Sequence, residues 1–328
     1  MPSPVHVTVT GAGGQIGYQL IFRIASGQLL GPDTPVVLRL LEIEPAMKAL
    51  EGTIMELVDG AFPLLHSVVA TTDVKKAFES CSWGLLVGGM PRKQGQERKD
   101  LIVANAKIFK PQGEAIAAGA AKDVRVLVVG NPCNTNCLIA RSNAKGVPAE
   151  RFFAMTRLDE NRAKSQLAIK SGQPVSAVSN LAIWGNHSNT QYPDAFNAKI
   201  GGKPAPEVIT DHNWLRTDFV TTVQNRGAKV IEARGASSAA SAANAIIDSV
   251  VSIRTATKPN DWVSLAIPSN GEYGIPKGIQ FGYPVRTDGQ TCKVVEGLPL
   301  DEQAKARIKT TTDELIGERD AIKDLLPS

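Results

Sequence analysis

Four cysteines in 328 residues are too few for a disulfide framework. Cys133 and Cys137 share C-x-x-x-C spacing, but no second pair of ligands stands near them. Buried free thiols are therefore expected, and a metal site is not. No apolar run approaches the roughly eighteen residues of a membrane-spanning helix. An excess of one charge is missing too. With 36 Lys and Arg against 32 Asp and Glu, the net charge of +4 is small for the length. That argues against nucleic acid as a partner and suits small anionic molecules. No low-complexity tract or internal repeat occurs, and MPSPVHVTVTGAGG enters a strand almost at once, with no room for a targeting segment. A cytoplasmic location is the expectation.

What is present is ordinary globular composition, 43% hydrophobic and 21% charged, at a length that implies two domains. The first half alternates in period. Apolar runs predict strands over 5–10, 36–42, 83–87 and 124–129, with a less apolar one over 68–72. Helical spacing predicts helices over 15–25, 46–57 and 101–121. Continuous β-branched runs separated by helices indicate an α/β domain, a doubly wound parallel sheet over residues 1–155. Beyond it the rhythm changes. Helices are expected over 159–170, 217–233, 238–253 and 301–326, and short strands over 181–184, 263–267, 278–286 and 292–295. This is an α+β pattern over 156–328, expected to hold the substrate and the catalytic groups.

Gly11-Ala12-Gly13-Gly14-Gln15-Ile16-Gly17 joins the first strand to the first helix. Glycines there permit a tight turn and let backbone N–H groups approach a pyrophosphate at the helix N-terminus. The second strand ends in Glu42, where a carboxylate can accept both adenosine ribose hydroxyls and repel a 2′-phosphate. NAD is thus favoured over NADP. The fifth strand ends Val129-Gly130-Asn131-Pro132, and its asparagine can orient a substrate group beside the cofactor.

Two stretches of the second half carry chemistry: Arg157-Leu158-Asp159-Glu160-Asn161-Arg162 and Trp184-Gly185-Asn186-His187-Ser188. A dehydrogenase must remove a hydroxyl proton as hydride leaves the same carbon. Of only four histidines, His187 alone sits at the end of an apolar strand, and imidazole can serve as that base. A buried carboxylate holding its other nitrogen fixes the tautomer, a role for Asp159. Arg162 offers a planar fork for a substrate carboxylate.

RLDENRA, WGNHS, NPCNTN, AFPLL, RGASSAASAANA, IPSNGEYGIPKG and the glycine turn together closely resemble the cytosolic-type branch of NAD-dependent malate dehydrogenases, within the lactate/malate dehydrogenase superfamily. The resemblance runs from about Val5 to the last helix. It implies a Rossmann domain followed by a catalytic domain, reversible oxidation of malate to oxaloacetate as in the tricarboxylic acid cycle, and a homodimer. His187 would accept the proton and Asp159 would be its partner. Arg162 would bind the carboxylate beside the reacting carbon, Arg92 the distal carboxylate, and Arg98 would polarise the carbonyl. Asn131 would touch substrate and nicotinamide, and Asn105 and Gln112 would contact NAD. Both loop arginines lie in GGMPRKQGQERK, expected to act as a lid.

Some positions depart from the family pattern: Gly13 for alanine, Gly60 in Val58-Asp59-Gly60 before AFP, Met90 for Arg or Ala, Cys133 for alanine, and Glu160 for histidine. If Glu160 approached His187, its charge would favour the imidazolium. Rival readings are a lactate-type dehydrogenase, for which a neutral residue would suit position 92, and a catalytically silent NAD-binding sensor.

Overall fold

The computed structural model describes residues 3–90 and 98–327, the side chains of Arg98 and Lys99 excepted. Strand and helix alternate through the first half. They are β1 (Val5–Thr10), α1 (Gln15–Ala25), β2 (Val36–Leu41), α2 (Met47–Asp59), β3 (Leu65–Thr71), α3 (Val74–Phe78), β4 (Trp83–Leu86), α4 (Arg98–Gly119), β5 (Arg125–Val128), α5 (Cys133–Asn143) and β6 (Phe152–Ala154). The strand order is β6-β5-β4-β1-β2-β3, and β1 to β5 pair in parallel. Apolar runs suit this arrangement because helices cover both faces of such a sheet. Every residue of β2 and of β4 is buried. With β1 between β2 and β4, the winding reverses there, and the register sets Thr10 beside both Leu41 and Leu86. The turns leaving β1 and β4 thus open at the same end of the sheet, where ligands of doubly wound folds lie.

Two differences from the sequence reading are local. β3 begins three residues before the expected 68, at Leu65, and carries a register shift opposite Val36 and Val37. His66 and Ser67 are exposed, so no apolar run announces its first three residues. Helix α5 was not foreseen, because CNTNCLIARSN buries Asn134, Thr135, Asn136 and Asn143 along with its apolar residues and shows no polar face.

The chain continues through α6 (Arg157–Ser171), β7 (Val178–Ser179), β8 (Ala182–Trp184), β9 (Tyr192–Asp194), β10 (Lys199–Ile200), β11 (Lys203–Pro204), α7 (Ala205–Val208), α8 (His212–Arg216) and α9 (Asp218–Arg234). After α10 (Ala240–Arg254) come β12 (Val263–Pro268), β13 (Gln280–Thr287), β14 (Cys292–Val294) and α11 (Glu302–Ala321). The last three strands are antiparallel neighbours. β8 and β9 form a hairpin.

Where the sequence suggests one cut near residue 155, the compact units are discontinuous. Unit 1 comprises Met1–Phe153, Ala239–Val251 and Glu318–Ser328; unit 2 comprises Ala154–Ser238 and Ser252–Gly317. Among the described residues no helix is long and apolar enough to cross a membrane.

Candidate active site

In unit 1 the glycine turn is built by close approach of backbones. Gly11 has φ +65°, and a Cβ on it would lie 2.5 Å from Gly88 Cα, just beyond β4. A Cβ on Gly130, beyond β5, would lie 2.8 Å from Gly88 O. The ends of β1, β4 and β5 therefore meet through glycines, leaving a floor without side chains. A Cβ on Gly17 would collide with the carbonyl of Ala12, so α1 packs directly on the turn. Gly14 caps α1 without a side-chain hydrogen bond, and no acid stands in its first turn. Gly14 and Gln15 are exposed, with Ile16 half-buried behind them.

Glu42 stands beside this turn: its Cγ would be 3.4 Å from a Cβ on Gly13, and its Oε2 accepts the N–H of Ile43 at 2.8 Å. These features fit a dinucleotide. The helix end offers donors to a pyrophosphate, the bare floor allows close approach, and the acid lies within reach for ribose hydroxyls. Asn131 is exposed just past Val129 and Gly130, which are buried.

Asn105 and Gln112, by contrast, are buried on α4. Asn105 Oδ1 accepts the Met90 N–H at 2.9 Å, and Nδ2 donates to Leu101 O at 3.0 Å and Met90 O at 3.4 Å. Its amide thus braces the base of the GGMPRKQGQERK segment. Arg92 lies outside the described residues, as does the side chain of Arg98, whose backbone opens α4.

In unit 2, α6 and the end of β8 bring the predicted chemical groups together. Asp159 is fully buried, and its Oδ2 is hydrogen-bonded to His187 Nδ1. Arg162 NH1 pairs with Asp159 Oδ1 at 3.2 Å, as expected for residues three apart on a helix. Arg162 NH2 donates to Ser238 Oγ at 3.4 Å. Burial alone would raise the Asp159 carboxyl, but the His187 imidazole, Arg162 and the Gln191 amide outweigh it and hold it below its usual value. The site therefore keeps an ionised carboxylate behind the imidazole, whose ring is only 16% exposed.

Glu160, one residue on, turns to other partners. Its oxygens meet Lys164 at 2.6 Å and Arg157 at 3.6 Å, and the Ser264 N–H donates to Oε2 at 2.9 Å. Burial pushes its carboxyl up, yet the two cations and the N–H win and lower it. Rather than approaching His187, Glu160 anchors α6 to β12. Burial likewise pushes the thiols of Cys81 and Cys137 up to about 11 and about 12.

Some contributors were missed by sequence reasoning. Gln191 donates to Asp159 Oδ1 at 3.3 Å from the loop after WGNHS, where it reads as an ordinary polar loop residue. Thr311 and Glu314, on α11, hold the loop that carries His187. More than 120 residues separate them from that loop, so no local pattern could reveal them.

Known proteins match the chain over both halves. Residues 5–154 match the model of the lactate/malate dehydrogenase NAD binding domain, and residues 156–325 that of the lactate/malate dehydrogenase alpha/beta C-terminal domain. A malate dehydrogenase from Naegleria fowleri is 48% identical over 99% of this chain and all of its own, with a TM-score of 0.96. A Trichomonas vaginalis lactate dehydrogenase, solved with NADH and oxamate, is 39% identical over 98% of both chains, with a TM-score of 0.93. A Plasmodium falciparum malate dehydrogenase at 22% identity, covering 98% of this chain and 100% of its own at a TM-score of 0.83, shares the fold. Unit 1 is built around a Rossmann-type NAD-binding domain, and the chain belongs to the lactate/malate dehydrogenase family of oxidoreductases.

Proposed function

We propose that this chain interconverts (S)-malate and oxaloacetate with NAD. The observation that carries the reading is the pairing of His187 with a buried, ionised Asp159, with Arg162 on the same turn of α6. NAD supplies the hydride acceptor at its nicotinamide ring. Gly11, Gly13, Gly14, Gln15, Ile16 and Gly17 would hold its pyrophosphate region and Glu42 a ribose. Val129, Gly130 and Asn131 would line the nicotinamide end. Asn105 would act by bracing Met90, with Gln112 buried on the same helix.

His187 takes the hydroxyl proton of malate on Nε2 as hydride leaves the carbon, and returns it in the reverse direction. Asp159, on Nδ1, fixes the tautomer and stabilises the imidazolium that forms. Arg162 grips the carboxylate next to the reacting carbon with a planar fork. Arg92 would bind the far carboxylate, and Arg98 would polarise the carbonyl.

Malate is preferred to lactate because an arginine at 92 suits a second carboxylate. Facing the methyl group of pyruvate, it would be buried without a partner, at a cost of several kcal/mol. The competing reading, a lactate-type specificity, draws on the Trichomonas vaginalis relative. The two are separated by following NADH oxidation with oxaloacetate, pyruvate and 2-oxoglutarate side by side, repeated with NADPH. Oxaloacetate with NADH is expected to dominate, and Arg92→Gln to shift preference toward monocarboxylates. Comparable pyruvate reduction by the wild type overturns the assignment of Arg92. Tight NADH binding with no turnover of any of the three would favour a sensor.

The chain is further proposed to be cytoplasmic and to pair with a second copy. Met55 and Val58, both exposed on α2, supply apolar surface for such a contact. Sedimentation analysis giving a monomer at micromolar concentration would refute the pairing.

A further inference from the structure

One carboxylate on α11 collects three donors from the loop that carries His187. Glu314 Oε2 accepts from Asn186 Nδ2 at 2.9 Å, Ser188 Oγ at 2.5 Å and Thr190 Oγ1 at 2.6 Å. One turn earlier on α11, Thr311 Oγ1 accepts the Asn186 backbone N–H at 2.9 Å, and its own hydroxyl donates to Thr190 Oγ1 at 2.9 Å, since the Thr190 proton goes to Glu314. The Thr311 methyl fills the space where a side chain at position 185 would go, so Gly185, at φ +91°, closes directly over it. Donors from both sides of His187 thus converge on two residues that share one face of α11.

Three donors on one oxygen suit a carboxylate. A carboxylate accepts such donors as charge-assisted bonds, whereas an amide oxygen in its place makes weaker neutral ones and its NH2 can only donate. Asp159 does a different job, restraining the ring through Nδ1 and leaving the backbone of the loop to be fixed from elsewhere. Gly185 is fixed on its other side by mutual N–H to O bonds with Gly282, at 3.0 and 2.9 Å. Residues 186–190 have Thr311 and Glu314.

We propose that Glu314 and Thr311 are positioning residues for His187, holding the backbone that presents the imidazole to substrate. Its kinetic part rests on the malate dehydrogenase reading. A displacement of the base by about 1 Å costs on the order of 100-fold in rate.

The test compares Glu314→Gln, Thr311→Val and Thr311→Ser with the wild type, at a temperature where each is folded. Oxaloacetate reduction is measured alongside the proton NMR resonance of His187 Nδ1–H. For Glu314→Gln, kcat is expected to fall on the order of 100-fold, with KM for NADH within about twofold, and the resonance to shift or broaden. Thr311→Val should follow it in direction, and Thr311→Ser, which keeps the hydroxyl, should restore the wild-type behaviour. Wild-type kcat and an unmoved resonance in Glu314→Gln overturn the proposal, however far the Tm falls. Should that variant not fold, Thr311→Val is judged by the same two readouts. If the wild type reduces neither oxaloacetate nor pyruvate, the reaction assignment fails, and the resonance alone decides whether these residues position His187.

Discussion

Asp159 and Glu160 are adjacent, fully buried and both held ionised, yet they answer to different cations. Asp159 belongs to His187 and Arg162, Glu160 to Lys164 and Arg157. Because both carboxyls are lowered in the fold, the unfolded chain takes up protons first as pH falls. Their stabilisation is therefore complete above about pH 5 and is lost as pH drops through their folded values. Glu160→Gln is expected to cost about 2 kcal/mol at neutral pH, by taking the carboxylate from two half-buried cations and the Ser264 N–H, and to flatten the loss of stability as pH falls below about 5. Urea denaturation at stepped pH measures both. The pH–rate profile should keep its wild-type shape; an acid limb that moves would mean Glu160 acts on His187 after all. Asp159, Arg162 and His187 were readable from the sequence because each sits in a short local pattern whose chemistry needs that residue type. The role of Glu160 was not, since its Ser264 partner lies 104 residues away.

The turn between β1 and α1 shows how an element tolerates or refuses a side chain. A Cβ on Gly13 would meet Glu42 Cγ at 3.4 Å, an ordinary contact, while one on Gly17 would strike the Ala12 carbonyl. Gly13→Ala is expected to raise stability by about 0.5 kcal/mol through loss of freedom in the unfolded chain, with NADH affinity unchanged. Gly17→Ala should lower it by about 2 kcal/mol and weaken NADH binding, because α1 must move off the turn. Thermal unfolding with and without NADH separates the two. Buried strands such as β2 and β4 were plain in the sequence, since a parallel sheet demands unbroken apolar runs. The exposed start of β3 and the polar-buried α5 were hidden, because each breaks the simple relation between polarity and burial on which periodicity depends.

At the scale of the molecule, unit 1 is completed from far along the chain. Ala239–Val251 belongs to it and buries Ala242, Ala243, Ala245, Ile246, Ile247 and Val250. Arg23 on α1 donates to Asn244 Oδ1 at 2.9 Å within the same unit. A fragment of residues 1–155, the division suggested by composition alone, is therefore expected to lack cooperative thermal unfolding and to bind dye as a loosely packed state. A sharp transition in that fragment would show that the returning segments are dispensable. A change of rhythm near 155 was visible in the sequence, but not the return of later helices to unit 1, because an apolar helix face does not say which core it will join. The discontinuity also sets a schedule for synthesis. Between Phe153 and Glu318 the ribosome adds roughly 165 residues, on the order of ten to thirty seconds of work, while the nascent sheet waits for its last segments. For that interval its uncovered apolar surface is a natural client for a chaperone.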